Sequence, residues 1–276
     1  MGFELLLDVD GTVLRPRLTP PPRDAHKYGR GSAIVLSGPP LRTGASRLAA
    51  QAALAVGAGL VTIVGKREAL AEHAAHVTAI MLREQDKAFT AIDPRVRAVA
   101  VGPGAGISNG LVDDVATLLL RSIPIVLDAD ALSAFAARPD TLFAILHPAA
   151  VLTPHDGEFA RLFPDIPLAD RKAAALAAAR RAGAVILLKG ADTVIAASDG
   201  RFAINRHAAP WLATAGSGDV LTGLVCGLLA QQVPPFEAAC IAAWLHGDIG
   251  ARGGAGLTAD NMIAHLPLVL RDCLNE

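Results

Sequence analysis

Short, continuously apolar runs rich in Val, Ile and Leu recur along the chain, with Ala-rich stretches between them. AIVLSG (33–38), LVTIVG (60–65), AVAVGPG (98–104), IPIVLDAD (123–130), AVLTPH (150–155) and AVILLKG (184–190) do not alternate with polar residues. That pattern predicts strands covered on both faces, as in a parallel sheet. The intervening GASRLAAQAALAVGAG, NGLVDDVATLLLRS and DRKAAALAAARRAG carry apolar positions at helical spacing, each with Gly or Asn near an end. Repeated strand-then-helix order predicts an α/β protein: a three-layer α/β/α sandwich with a mostly parallel central sheet. VIAASDG reads as a hairpin with Asp199 and Gly200 at its turn. No Pro/Ser tract and no fixed-period repeat divides the 276 residues, so one domain is expected.

Composition narrows the classes. Hydrophobic residues make up 52% and charged ones 18%, enough to bury a large core. A net charge of −1 and only 4% aromatic residues leave neither a basic field nor stacking platforms, so nucleic acid is not an expected partner. No apolar run is long enough to span a bilayer and no signal-peptide pattern opens the chain; a cytoplasmic protein is expected. Cys226, Cys240 and Cys273 are far apart, and read as buried thiols in a reducing compartment.

The strand runs end in SGPP, GPGAG, DAD, TPHDGE and KGADT. Ligands of open α/β sheets sit at the carboxyl ends of strands, so these scattered segments predict one cleft. The strongest is LATAGSGDVLTG (212–223). Ala215, Gly216, Ser217 and Gly218 ahead of a helix let N–H groups face a cavity and, with the helix dipole, bind an anion. Asp219 in the first turn could take a proton from a substrate hydroxyl held beside that anion; the competing reading is a Gly-rich turn with Asp219 as a cap. Lys189, one of five lysines, ends a buried strand and either meets a nucleotide's phosphates or snorkels to the surface. In TPHDGEF (153–159), direct metal ligation lacks a second ligand cluster; His155 is favoured as a substrate contact, and Glu158 as a water-mediated Mg²⁺ ligand or helix N-terminal residue. Asp128 and Asp130 could hold a hydrated metal, but structural roles are favoured, with Asp130 as the N-cap of ALSAFAAR. LLLDVDGTVL (5–14) resembles the DxDGT nucleophile motif of haloacid-dehalogenase-type phosphatases. The chemistry of that motif also needs a lysine and a strand-end acidic pair, and the one Asp-Asp pair, Asp113 and Asp114, falls in a helical pattern.

Together, HKYGRG, TGASRLAAQAALAVGAGLVTI, VGPGAG, PIVLDADAL, LTPHDGEFARLF, LLKGADTVIA, LATAGSGDVLTGLVCGLLAQ and GLTADNMIAHLPLVL resemble, in order, the ADP/ATP-dependent NAD(P)H-hydrate dehydratases of the ribokinase-like superfamily. The resemblance implies dehydration of the S epimer of NADHX or NADPHX to NADH or NADPH, with ADP (or ATP) as co-substrate and AMP and phosphate as products. It implies Asp219 as the base; Lys189, Gly190, Ala191, Asp192, Thr193 and Ala215 to Gly218 as nucleotide contacts; and Ala45, Gly104, Gly106 and His155 as substrate contacts. Mg²⁺, a homo-oligomer with a tetramer as default, and a functional link to an epimerase are implied as well. Residues 1–24 resemble a connecting segment, which makes 25–276 the catalytic domain. Ser37, Pro39 and Leu41 stand where the family reads GGSxGxTGA, and Asp156 where it reads TPHPGE. A vitamin-precursor or sugar kinase of the same superfamily is the competing function.

Overall fold

The computed structural model describes residues 1–85 and 92–274. Two short antiparallel strands, β1 (Gly2–Glu4) and β2 (Arg17–Thr19), lead into β3 (Ser32–Leu36), β4 (Leu60–Gly65), β5 (Met81–Glu84), β6 (Val96–Val101), β7 (Ile125–Leu127), β8 (Ala150–Leu152), β9 (Val185–Leu188), β10 (Thr193–Ala196) and β11 (Phe202–Asn205). The last nine form one sheet in the order β11-β10-β9-β8-β7-β6-β3-β4-β5 among the described residues. Strands β3 to β9 run parallel, and the hairpin of β10 and β11 closes one edge antiparallel.

Successive strand residues point to opposite faces, and both faces are covered. Val35, Ile63, Ala100, Val126 and Leu187 join one core, against α1 (Gly44–Ala55) and three later helices described below. Ile34, Val64, Val99, Ile125 and Ile186 join the other. There they meet helices from the opposite layer: α3 (Asn109–Leu119), α6 (Asp156–Leu162) and α7 (Arg171–Ala182), which follow α2 (Arg67–Ala74), α4 (Asp130–Ser133) and α5 (Pro139–Phe143) in the chain's numbering. This two-sided burial is why the runs are continuously apolar, and it yields the three-layer sandwich that the pattern predicted.

Chain order explains where a cleft forms. From β3 the chain builds outward through β4 and β5, then returns to lay β6 on the other side of β3. The crossovers therefore diverge between β3 and β6, which opens a crevice at their carboxyl ends. Gly38 and Gly104, just beyond these two strands, approach so closely that a Cβ on Gly38 would lie 2.2 Å from the Gly104 carbonyl oxygen.

The three remaining helices are α8 (Ser217–Ala230), α9 (Pro235–Gly253) and α10 (Ala259–Asp272). Helix α8 is buried along nearly its whole length. Gly223 and Gly227 form its contact with α1: a Cβ on Gly223 would fall 2.1 Å from the Ala49 carbonyl oxygen, and one on Gly227 2.4 Å from Val56 Cγ1. The absent side chains let the two helices touch backbone to backbone.

One expectation needed revision. The helix expected through ALSAFAAR is the single turn α4, and Asp130 is its first helical residue rather than its N-cap; Ala129 holds that position. The Asp130 carboxylate instead accepts the Gly106 N–H at 2.8 Å. The pattern had not singled out β5, α2, α9 or α10. Residues 1–24 fold back on the body: Val13 and Leu18 are buried, and Val13 N–H donates to Ile204 O at 2.9 Å. The DxDGT segment is an exposed turn in which Asp10 accepts from Thr12 N–H (2.9 Å) and pairs with Arg206 (2.8 Å). The three cysteines are buried and free. No described helix is long and apolar enough to cross a membrane.

Gly223→Ala should lower stability by about 1–3 kcal/mol through overpacking of α8 against α1, visible as a drop of several degrees in Tm by calorimetry. An unchanged Tm would mean the helices are not pressed together as described.

Candidate active site

The N-cap of helix α8 is Gly216, whose φ of +87° is left-handed; a Cβ there would also sit 2.8 Å from both Ala259 Cβ and Leu48 Cδ1. Glycine alone meets both conditions. The N–H groups of Gly218 and Asp219, in the first turn, find no acceptor among the described residues. They add to the positive end of the helix dipole at the wall of a cavity of about 700 Å³. No side chain caps α8, and the Asp219 carboxylate has no hydrogen-bond partner among the described residues. The reading of Asp219 as a mere helix cap is therefore excluded.

Opposite this turn stands a fixed charge network. Asp128, buried at the end of β7, takes Lys189 Nζ on Oδ1 at 2.8 Å and the Thr222 hydroxyl on Oδ2 at 2.7 Å. Lys189 also lies 3.8 Å from Glu158 Oε2. Burial works against its charge, but Asp128, Glu158 and Asp219 outweigh that and hold its pKa above the ordinary lysine value. Lys189 thus sits in the cavity wall and does not snorkel. Between the two aspartates, Ala129 has φ +48° and ψ −117°, a conformation that costs a non-glycine residue roughly 1–3 kcal/mol. It sends neighbouring carboxylates in different directions, Asp128 to Lys189 and Asp130 to the Gly106 amide.

Asp219 is the unsatisfied member of this group. Burial, then the negative charge of Asp128, push its pKa up to about 6; Lys189 pulls it down, and Asp130 raises it further. A carboxylate poised there is ionised at neutral pH yet basic enough to accept a proton.

His155 is the N-cap of α6. Its Nδ1 accepts from Gly157 N–H (3.0 Å) and Glu158 N–H (3.2 Å), while Glu158 Oε2 accepts the His155 N–H at 2.9 Å. This is a capping box with His in the usual Ser/Thr place, and it leaves the ring proton on Nε2. Both residues also line the cavity. The KGADT turn is closed by Thr193, whose hydroxyl donates to Gly190 O at 3.1 Å. Arg171 clamps it from outside, with Nη2 donating to Lys189 O (2.8 Å) and Nη1 to Asp156 (2.6 Å).

Of the residues expected at the site, His155, Glu158, Lys189, Gly190, Ala191, Thr193 and Gly216 to Asp219 line this one cavity. Asp192 and Ala215 do not line it; Asp192 is exposed, 4.0 Å from Arg206. Gly106 lines a second cavity of about 770 Å³ beside Ser37 and Lys66, over the other half of the switch point. Ala45 and Gly104 pack together between the two loops: a Cβ on Gly104 would meet Ala45 Cβ at 3.2 Å. Sequence reasoning missed Arg171, Thr222 and His246. A basic residue opening the α7 pattern, and a lone His in an Ala-rich run, were the signals available.

The sheet order and its flanking helices define an α/β protein of the ribokinase-like fold, with the candidate site at the carboxyl ends of its strands. Residues 33–271 match the family model described as NAD(P)H-hydrate dehydratase. The bifunctional NAD(P)H-hydrate repair enzyme Nnr of Moorella thermoacetica is 41% identical over 279 residues, covering 93% of this chain and 52% of that protein. The Mycobacterium tuberculosis enzyme of the same name is 41% identical over 220 residues, covering 80% and 45%. The chain thus spans about half the length of these relatives. The ADP/ATP-dependent NAD(P)H-hydrate dehydratase of Bacillus subtilis, co-crystallised with ATP and Mg²⁺, is similar in structure with a TM-score of 0.82 at 28% identity, covering 93% of this chain and 95% of that one. A ribokinase-like superfamily protein of Enterococcus faecalis, at 23% identity and TM-score 0.82, shares the fold. The chain belongs to the NAD(P)H-hydrate dehydratase family.

A base at Asp219 would act only when ionised, so kcat/KM should then fall as pH drops through about 6, not near the ordinary carboxylate value of 3.8. Lys189→Met removes the cation that lowers this pKa, so the acid limb should move to higher pH. A limb that stays put, or moves down, in a pH–rate profile would contradict the assignment.

Proposed function

We propose that this chain dehydrates the S epimer of hydrated NADH or NADPH with ADP as co-substrate, releasing AMP and phosphate. The observation that carries the reading is the unpartnered Asp219 carboxylate, set in the same helical turn as free N–H groups and facing Lys189. The family membership and the nucleotide named for the Bacillus subtilis relative support it.

Hydroxide is a poor leaving group, so the C6 hydroxyl of the hydrated ring is first made into a phosphate ester. Asp219 accepts the hydroxyl proton as the oxygen attacks the terminal phosphorus of ADP and the bond to the AMP oxygen breaks. The Gly218 and Asp219 N–H groups and the α8 dipole hold the transferred phosphoryl group, and Lys189, immobilised by Asp128, offsets the charge left on AMP. Phosphate then departs from C6 with electron donation from the ring nitrogen, giving a C6=N iminium, and loss of a proton from C5 to water or the departing phosphate forms the C5=C6 double bond of the dihydronicotinamide. Gly190, Ala191 and Thr193 form the nucleotide side of the cavity, and His155 the substrate side.

Mg²⁺ would supply counter-charge to the phosphates. No cluster of three or more metal-ligating side chains exists among the described residues, but a cation carried by the nucleotide needs only one or two carboxylates; Glu158, acting through water, fits that demand. The reading extends to a cytoplasmic homo-oligomer, with a tetramer as default, and to a functional link with an epimerase that converts the R hydrate into the usable epimer. The bifunctional name of the relatives supports that last link.

Hydrated NADH incubated with protein, Mg²⁺ and ADP should regain the absorbance of the dihydronicotinamide; no recovery with either ADP or ATP would sink the reading. Asp219→Asn should still bind ADP while turnover falls roughly 10²–10⁴-fold. Near-normal turnover would remove Asp219 from the base role.

A further inference from the structure

The α8 turn holds one more polar side chain, Ser217, and the partner of that hydroxyl comes from a helix 29 residues away in the chain. His246, in the middle of α9, lines the same cavity. Its Nε2 lies 2.9 Å from Ser217 Oγ and 2.9 Å from Ser217 O. These two distances determine the tautomer. A carbonyl oxygen only accepts, so Nε2 must carry the hydrogen; an unprotonated Nε2 would press a lone pair against that oxygen.

The consequence lies in the hydroxyl. Ser217 Oγ receives part of the same N–H, so it acts as an acceptor toward His246 and keeps its own proton. Among the described residues no other side chain or carbonyl takes that proton. Ser217 lines the cavity between Gly216 and Gly218, next to the free N–H groups of the turn. Burial, reinforced by the charge of Lys189 and only partly offset by the Ser217 carbonyl, lowers the His246 pKa to about 4, so the ring is neutral and carries one proton.

We propose that His246 is a positioning residue: by donating Nε2–H to both oxygens of Ser217, it leaves the Ser217 hydroxyl free to donate to the terminal phosphate of a bound nucleoside diphosphate or triphosphate. The inference rests on the nucleotide reading above. It adds a third donor to the two backbone N–H groups, and gives the lone histidine of α9 a role at a distance from the reacting atoms.

The test is ADP affinity by titration calorimetry, with KM for ADP and kcat measured separately. Ser217→Ala should weaken ADP binding roughly tenfold, the loss of one hydrogen bond to a charged group. AMP, which lacks that phosphate, should bind the variant as it binds the unaltered protein. His246→Leu should weaken ADP by a similar factor, and the S217A/H246L double variant should be no weaker than either single one. His246→Gln, whose amide nitrogen reaches the place of Nε2, should recover binding to within about threefold. His246→Asn is too short to reach and should behave like H246L; it carries the test if the leucine variant does not fold. Additive losses in the double variant, an equal loss for AMP, or failure of H246Q to rescue would overturn the proposal. If the unaltered protein binds neither ADP nor ATP, the nucleotide reading itself falls; if it binds and Ser217→Ala changes nothing, only this inference falls.

Discussion

Helices α1 and α8 meet through Gly223 and Gly227 with no side chain between them on the α8 side. That contact seats α8 directly against the sheet, so its N-terminus opens beside the carboxyl ends of β7 and β9, which carry Asp128 and Lys189. A helix held farther out would leave its amides in water, where the dipole is screened and its attraction for an anion weak. The Thr222–Asp128 hydrogen bond has the same dependence, because it joins the second turn of α8 to the end of β7. Backbone-to-backbone packing and the electrostatics of the cavity are thus two results of the same small residues.

The cavity's charges are arranged to satisfy every carboxylate but one. Asp128 has Lys189 and Thr222, Glu158 has the His155 amide, and Asp130 has the Gly106 amide. Asp219 has none of these, and it feels repulsion from Asp128 and Asp130 in a poorly hydrated place. A structural carboxylate would be expected to find a donor; one kept without a partner, with its basicity raised, is suited to proton transfer. The strained Ala129 backbone serves this division, since it turns adjacent aspartates toward different partners.

Two departures from the family pattern have a structural account. Asp156, which departs from the TPHPGE pattern, pairs with Arg171, and Arg171 also grips the carbonyl of Lys189. The substituted residue therefore ties the loop after β8 to the loop after β9, on the side of the cavity where the nucleotide reading places ADP. Ser37, at another departure, donates its hydroxyl to Gly38 O (2.7 Å) and contacts His73 Nε2 (2.8 Å), which braces the turn after β3 with a bond inside the protein.

The sequence alone determined the layers, most of the strand runs and where the candidate cavity lies, because these depend on local periodicity and on short motifs. Short continuous apolar runs, rich in Val and Ile and ended by Gly, Pro or polar turns, suit strands buried on both faces, and AGSGD ahead of an apolar helix needs no distant residue to be recognised. Lys189, Asp128, Thr222 and Glu158 lie on four separate segments, and nothing in their spacing says that they share one charge network. Asp128 and Asp130 accordingly read as structural residues, and Lys189 stayed undecided between phosphate contact and surface. His246 and Arg171 drew no notice, since a lone His or Arg in a helix is usually unremarkable. Only the tertiary structure brought these groups within hydrogen-bonding distance. An ion pair or a raised pKa is a property of atoms a few ångströms apart, and chain separations of 15 to 94 residues carry no record of it.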